Sequence, residues 1–362
     1  MAKLNEENDF GLDLKLLKTI SELRGCSGHE EKVRKFIKEI ITPFCDEIKT
    51  DVMGNLYAKL NGESEKNSIL LAAHMDEIGF MVRYIDDKGY LRVASVGGQN
   101  IRLIPGSKVS ISGKSGDVPG VFGEKAIHLI KRKNRDKTTP IEEVFLDIGT
   151  NSREETEKYV QIGDFIEFIQ DFMRFPNTNK ICGKAFDDRL GCYILIHLLK
   201  ELSKVNNRKN TVIFVFTTQE EIGVNGAKII CNNELPQSAV VLEVTHAIDY
   251  PTVSKEKEMD IEQGKGPSIS IGPNLHPKIS KRLIKIAKQE DIPFQIEPAS
   301  GLTGTDARVI QTTGTGVPVG LMSVPLRYMH TMIEVADLED ISNLIKILKV
   351  YLLKKQDGNY LL

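Results

Sequence analysis

Two pairs of adjacent carboxylates and two histidines that follow apolar runs are the residues of this chain best suited to chemistry. Phe186-Asp187-Asp188-Arg189 reads as a helix start. Its paired charges repel unless a cation neutralises one and an arginine or helix-terminal amides neutralise the other. A metal ion meets that need, although an isolated Asp-Asp pair is more often an ordinary N-cap. Gln219-Glu220-Glu221-Ile222-Gly223 comes after the apolar run Val212-Ile213-Phe214-Val215-Phe216, so two carboxylates stand where a buried strand ends. Consecutive side chains of an extended segment point opposite ways. One glutamate can then ligate a metal while its neighbour faces the attacking water and takes its proton. In His74-Met75-Asp76-Glu77, the alternate residues His74 and Asp76 share a side. Asp76 can therefore accept a hydrogen bond from the imidazole and fix the tautomer that coordinates metal. His330 in Arg327-Tyr328-Met329-His330 is the second imidazole candidate, and Glu243 the last carboxylate.

Charge balance points to two ions. Asp187, Glu221, Glu243 and a hydroxide carry about four negative charges, which two divalent cations offset. Histidine and carboxylate donors suit zinc, cobalt or manganese, with zinc the default for a hydrolase. The five cysteines, Cys26, Cys45, Cys182, Cys192 and Cys231, are scattered and never form a CxxC. They read as reduced thiols, so any metal is held by histidine and carboxylate. His29, His128, His197, His246 and His276 read as structural residues.

The elements that must bring these groups together follow an α/β pattern. Ile69 to Ala73 is a short, continuously apolar strand of the kind a sheet covered on both faces uses, and His74 stands at its C-terminal end. Thr211 to Phe216 leads to Glu220 and Glu221, Ala239 to Leu242 to Glu243, and Val317 to Val324 to His330. Helices are expected over Asp188 to Lys204, Lys278 to Glu290 and Asp337 to Leu353, the last with Asp337 as N-cap. Residues 12 to 44 read as two helices broken at Gly25 to Gly28, the second opened by Ser27 and Glu30 in capping-box spacing. Ligands of α/β sheets bind outside the carboxyl ends of the strands, so the polar groups should share one crevice. From Arg83 to Arg174 the texture changes to glycine-punctuated alternation, as in Lys108-Val109-Ser110-Ile111, which reads as an inserted β-rich unit. The domain reading is thus 1–82 and 175–362 for a catalytic unit and 83–174 for the insert. Residues 1–11 read as a frayed tail.

Composition narrows the partners. Lys plus Arg number 48 against 50 Asp plus Glu, which gives no electrostatic ground for nucleic acid or an anionic membrane. The basic stretch Lys131 to Lys137 lacks interleaved aromatics and reads as a solvated loop. No apolar run spans a bilayer, and the polar start MAKLNEENDFGLD lacks the apolar centre of a secretory signal, so a cytoplasmic location is expected.

Through Ala73-His74-Met75-Asp76-Glu77-Ile78-Gly79, Phe186-Asp187-Asp188-Arg189, Gln219-Glu220-Glu221-Ile222-Gly223, Gly304-Thr305-Asp306-Ala307 and Arg327-Tyr328-Met329-His330, taken in order, the chain resembles the tetrahedral (TET) aminopeptidases. This family includes glutamyl and deblocking aminopeptidases and belongs to the dinuclear zinc exopeptidases. The resemblance implies a mixed sheet flanked by helices, with an inserted barrel-like dimerisation domain that builds homododecamers. It implies hydrolysis of the N-terminal residue of short peptides through a hydroxide between two ions. His74, Asp187, Glu221, Glu243 and His330 would be the ligands, with Asp187 bridging, Glu220 the base and Asp76 orienting His74. Where the family usually has aspartate, this chain has Glu243. The Gly304 to Ala307 turn reads equally as pocket wall or helix cap. Three rivals remain at this stage. One is a dinuclear deacylase or carboxypeptidase, and another a non-catalytic assembly protein with a relict site. The third, a glycosidase using paired carboxylates, needs neither the histidines nor a metal, and the chain has no tryptophan to stack on sugar.

Overall fold

A computed structural model describes residues 10–65, 67–232, 235–355 and 358–361. Residues 1–9, most of the expected tail, lie outside that range. The chain opens with helices α1 (Leu14–Glu22) and α2 (Glu31–Ile41), then strands β1 (Glu47–Thr50), β2 (Leu56–Leu60) and β3 (Ser68–His74). Next come β4 (Gly79–Ile85), β5 (Leu91–Val96), β6 (Lys108–Gly113), β7 (Gly116–Gly123), β8 (Phe145–Asp147), α3 (Arg153–Thr156) and β9 (Phe165–Phe168). The remainder is β10 (Met173–Arg174), β11 (Lys180–Gly183), α4 (Phe186–Ser203), β12 (Thr211–Thr217), β13 (Ser238–His246), β14 (Ser268–Ile271), α5 (Pro277–Gln289), β15 (Gln295–Pro298), α6 (Ala307–Ile310), β16 (Val319–Leu326), β17 (Glu334–Asp337) and α7 (Leu338–Leu353).

An eight-stranded mixed sheet runs in the order β1-β2-β12-β3-β13-β16-β14-β15. Its centre, β12-β3-β13-β16, is parallel. The continuous apolar runs of these strands split by alternation into two cores. Ile69, Leu71, Ala73, Val212, Phe214 and Phe216 pack with α1, α2, α4, α5 and α7 on one face. Leu70, Ala72, Ile213 and Val215 pack with Ala307 and Ile310 of α6 on the other. Burial on both faces is why these strands carry no polar alternation. α7 begins as expected, with the Asp337 carboxylate accepting the Glu339 amide at 3.0 Å.

Strands β4 to β9 close a separate barrel in the order β4-β5-β8-β7-β6-β9. Its core contains Phe80, Val93, Ile111, Phe122, Leu146, Ile166 and Phe168, with Phe80 edge-on to both Phe122 and Phe168. Two expectations need correction. α2 starts at Glu31 without the capping box, and no side chain caps it. β13 does not stop at Leu242 but runs through Glu243 to His246. The Lys131 to Lys137 stretch is solvent-exposed at its described residues, as a solvated loop should be, with a short 3-10 turn at Arg132–Asn134. Among the described residues no helix is long and apolar enough to cross a membrane.

Candidate active site

Register sets the first level of the site. β3 and β13 pair in parallel up to Val241 opposite Ala72, which puts Glu243 level with His74. Thr217 at the end of β12 lies opposite His74 on the other side, so the Glu220–Glu221 segment leaves the sheet beside it. α4 packs on β3 and brings Asp187 to the same edge. There the backbone of Asp187 and Asp188 is non-helical within the helix start.

The side chains gather around Asp187. His74 Nε2 is 3.0 Å from Asp187 Oδ1 and 3.9 Å from Glu243 Oε2. His330 Nε2 is 3.3 Å from Asp187 Oδ2 and 3.4 Å from Glu221 Oε2. Two triads result, His74–Asp187–Glu243 and Asp187–Glu221–His330, and within each the donor atoms lie within 4.8 Å of one another. The longer Glu243 side chain reaches its triad. Glu220 belongs to neither.

Asp76 ties the parts together. His74 Nδ1 is 3.1 Å from the Asp76 carbonyl and 3.4 Å from its carboxylate. The same carboxylate accepts the Glu220 and Glu221 amides at 3.0 and 3.1 Å and the Ser27 hydroxyl at 2.7 Å. Glu30 accepts the Gln219 amide at 3.1 Å. Ser27 and Glu30, read from spacing as a capping box, are therefore spent on this site. Backbone strain concentrates here too: Ala185, Gln219, Val224, Tyr328 and His330 all have φ between 52° and 62°. Left-handed non-glycine residues are sparse elsewhere in proteins and cluster at functional sites.

Electrostatics shows what the cluster lacks. Burial pushes Glu221 up to about 8, with the Asp187 charge adding to it. Burial likewise pushes Glu243 well above the carboxylate range. Asp187 moves the other way, since the hydrogen bonds from His330 and His74 outweigh burial. Asp188 is raised, first by burial and further by the Asp187 charge, so the two carboxyls are driven in opposite directions. Asp188 Oδ1 accepts the Gly191 amide at 2.9 Å. A Cβ at residue 191 would stand 2.3 Å from Asp188 Oδ2, so a side chain there would have to displace that buried carboxyl. Of the two neutralising partners left open, a helix-terminal amide serves Asp188, and Arg189 is directed elsewhere. It is buried against the carbonyls of Met75 and Ile20 and lies 3.6 Å from Glu77, which also pairs with Lys184 at 2.7 Å. Carboxylates and imidazoles buried this closely, sharing protons that a cation would replace, fit a divalent metal.

The Gly304 to Ala307 turn caps its helix through Thr305, whose Oγ1 accepts the Ala307 amide at 3.3 Å, and not through Asp306. Asp306 heads α6 without capping it, and its Oδ2 instead accepts the Thr217 hydroxyl at 2.6 Å behind the Glu220 segment. The five histidines read as structural belong to neither triad. His276, for example, accepts the Lys278 amide at the start of α5.

Glu334 escaped the sequence reading. One of its oxygens accepts the His330 amide at 3.0 Å and the other the Asp187 amide at 3.2 Å, so one buried carboxylate clamps the main chain of two triad members. Nothing in its local sequence announces this, because both bonds go to backbone. Replacing Glu334 by alanine should weaken zinc binding or activity roughly 10- to 100-fold, as loss of an outer partner of a metal ligand typically does. A chromophoric-chelator competition measures it, and unchanged affinity would leave Glu334 a purely structural residue.

A helix-flanked sheet that gathers histidines and carboxylates at the carboxyl ends of its parallel strands is the arrangement of a metal-dependent hydrolase. The chain belongs to the M42 glutamyl aminopeptidase family, which it matches over residues 54–347. It is 35% identical over 345 residues to the lysyl aminopeptidase of Pyrococcus furiosus, covering 94% of this chain and 97% of that one. Its fold superposes on the TET aminopeptidase of the marine-sediment archaeon Thaumarchaeota archaeon SCGC AB-539-E09 with TM-score 0.89 at 32% identity, covering 94% and 96% of the two chains. The Pyrococcus horikoshii TET1 peptidase matches with TM-score 0.84 at 33% identity over 94% and 99%. The protein is a metal-dependent aminopeptidase.

Proposed function

We propose that two divalent ions, zinc by default, occupy the two triads, with His74 and Glu243 holding the first, Glu221 and His330 the second, and Asp187 shared by both. The observation that carries this reading is the position of Asp187, with one oxygen facing each histidine. When bound, the ions acidify the attacking water and polarise the first peptide carbonyl. Glu220 takes the proton of that water and passes it to the departing amine. Asp76 holds the His74 tautomer and, through the amides of Glu220 and Glu221, keeps base and ligand in register. The substrates are short peptides with a free N-terminus. Metal analysis coupled to a panel of aminoacyl chromogenic substrates, with and without chelator, tests this. Activity that survives metal removal, or hydrolysis of N-acylated substrates alone, refutes it.

We also propose the division into a catalytic unit, 1–82 with 175–362, and an insert, 83–174, that serves dimerisation. The TET1 peptidase of P. horikoshii assembles into a tetrahedron or a large octahedral shell, and a dimer-based homododecamer is the assembly proposed for this chain. A cytoplasmic location accords with five free cysteines.

Metal binding should release protons. His330 is raised to about 9, first by its hydrogen bond to Asp187, and Glu221 to about 8, first by burial. Both pKa values lie above neutrality, so at pH 7 each group holds a proton that a cation must displace. Apparent zinc affinity should therefore rise as pH increases toward about 9 and fall as pH decreases. Calorimetric titration of the metal-free protein in buffers of different ionisation enthalpy reads the protons directly, and zero release at pH 7 would contradict it.

A further inference from the structure

The barrel reaches into the candidate site through the turn after β5. A Cβ built on Gly97 would meet Ile78 Cγ2 at 2.9 Å and Glu221 Cβ at 3.4 Å, and its φ is +81°. Glycine at 97 is thus required by the fold. Gly98 is different. It is exposed, its φ is not in the left-handed region, and within 4 Å its Cβ would meet only His330, at 3.4 Å from Nδ1 and 3.7 Å from Cε1. Neither backbone conformation nor packing within the fold excludes a side chain there. The turn is also fixed: Gln99 Nε2 donates to the carbonyls of Val96 and Gly79, and the Asn100 side chain accepts the Arg102 amide. A residue at 98 would therefore project toward the outer side of His330, whose side chain is 39% exposed at the mouth of the second triad.

We propose that Gly98 is a specificity-determining residue, its absent side chain leaving the space beside His330 that a bulky apolar side chain of the peptide substrate enters. This rests on the reading of His330 as a ligand of the second ion. Ile222 follows Glu221 in the chain and Tyr328 precedes His330 by two residues, and both are exposed, at 44% and 40%. The barrel, on this view, shapes substrate choice besides any part in assembly.

The test uses the full-length zinc-loaded protein and its Gly98→Ala, Gly98→Val and Gly98→Leu variants. Alanyl, leucyl and phenylalanyl p-nitroanilides vary the first residue, and the dipeptides Ala-Ala and Ala-Phe vary the second, so the arm that responds tells which side chain uses the space. The expected result is a fall in the Phe-to-Ala ratio of kcat/KM that deepens from alanine to leucine. It should reach roughly 10- to 200-fold, the range a misfit of methylene size produces in an apolar pocket. An unchanged ratio in both arms overturns the proposal. So does a parallel loss on every substrate with reduced zinc content, because Gly98 would then be supporting His330 rather than admitting substrate. Hydrolysis by the wild-type protein that persists without divalent ions overturns the underlying metal reading instead.

Discussion

Glu220→Gln should retain its metal and lose turnover, with kcat falling roughly 10²- to 10⁴-fold, the range for removal of a positioned general acid or base. Glu220 lies outside both triads, so the isosteric amide takes no ligand away. Its main-chain amide bonds to Asp76, and the substitution leaves that bond in place. The carboxyl is pushed up to about 8, first by burial, with Asp306, Asp187 and Asp76 raising it further while His74 opposes. A protonated carboxyl cannot act as a base, so the proposed role requires that bound cations, whose charge favours the carboxylate, bring this value down toward neutrality. Metal analysis alongside steady-state kinetics separates the outcomes. Near-normal kcat would reject Glu220 as the base, and loss of zinc would make it a ligand.

What the sequence discloses, and what it hides, follows from where each side chain finds its partner. The strand-end placement of His74 and Glu221 is legible because buried parallel strands are apolar from end to end, so the first polar residue marks the edge of the sheet. The same logic misplaces the end of β13. Glu243 interrupts the apolar run, yet the strand continues to His246 because the carboxylate is buried among the other site groups rather than in solvent. α7 and its Asp337 cap are legible since both partners are local. Ser27 and Glu30 satisfy the same kind of local rule and break it, because Asp76 and the Gln219 amide, both distant in sequence, take their oxygens. Glu334 is missed, and the partner of Arg189 left open, because both bond to backbone groups, which have no sequence signature, and the Asp187 amide and Met75 carbonyl lie more than a hundred residues away. The barrel is recognisable from glycine punctuation and alternation, while its closure depends on β6 pairing with β9, which no short-range pattern specifies.

Asp187→Asn should empty both sites together, whereas Glu243→Ala should weaken only the first. The asymmetry comes from the oxygens of one carboxylate: Oδ1 faces His74 and Oδ2 faces His330, so Asp187 alone is common to the two triads. An amide keeps one uncharged oxygen in place of a two-oxygen anion, so one centre loses its donor to an NH2 group and the other loses the negative charge that binds a cation. The loss in zinc affinity should exceed the roughly 10- to 100-fold that follows removal of an outer partner, since here a donor itself is lost. A second readout needs no metal. The hydrogen bond to Asp187 is the first cause of the raised His330 pKa, at about 9. In the metal-free variant, the imidazole titration followed by NMR should therefore move down toward the ordinary histidine range. Stoichiometric zinc titration distinguishes the alternatives: two ions bound with undiminished affinity would deny Asp187 its shared role, and retention of one would mean that the triads are served by separate bridges. The two measurements bear on one geometric fact, because the carboxylate whose hydrogen bond raises His330 without metal is the same group that, on the proposed reading, would be shared by the two ions.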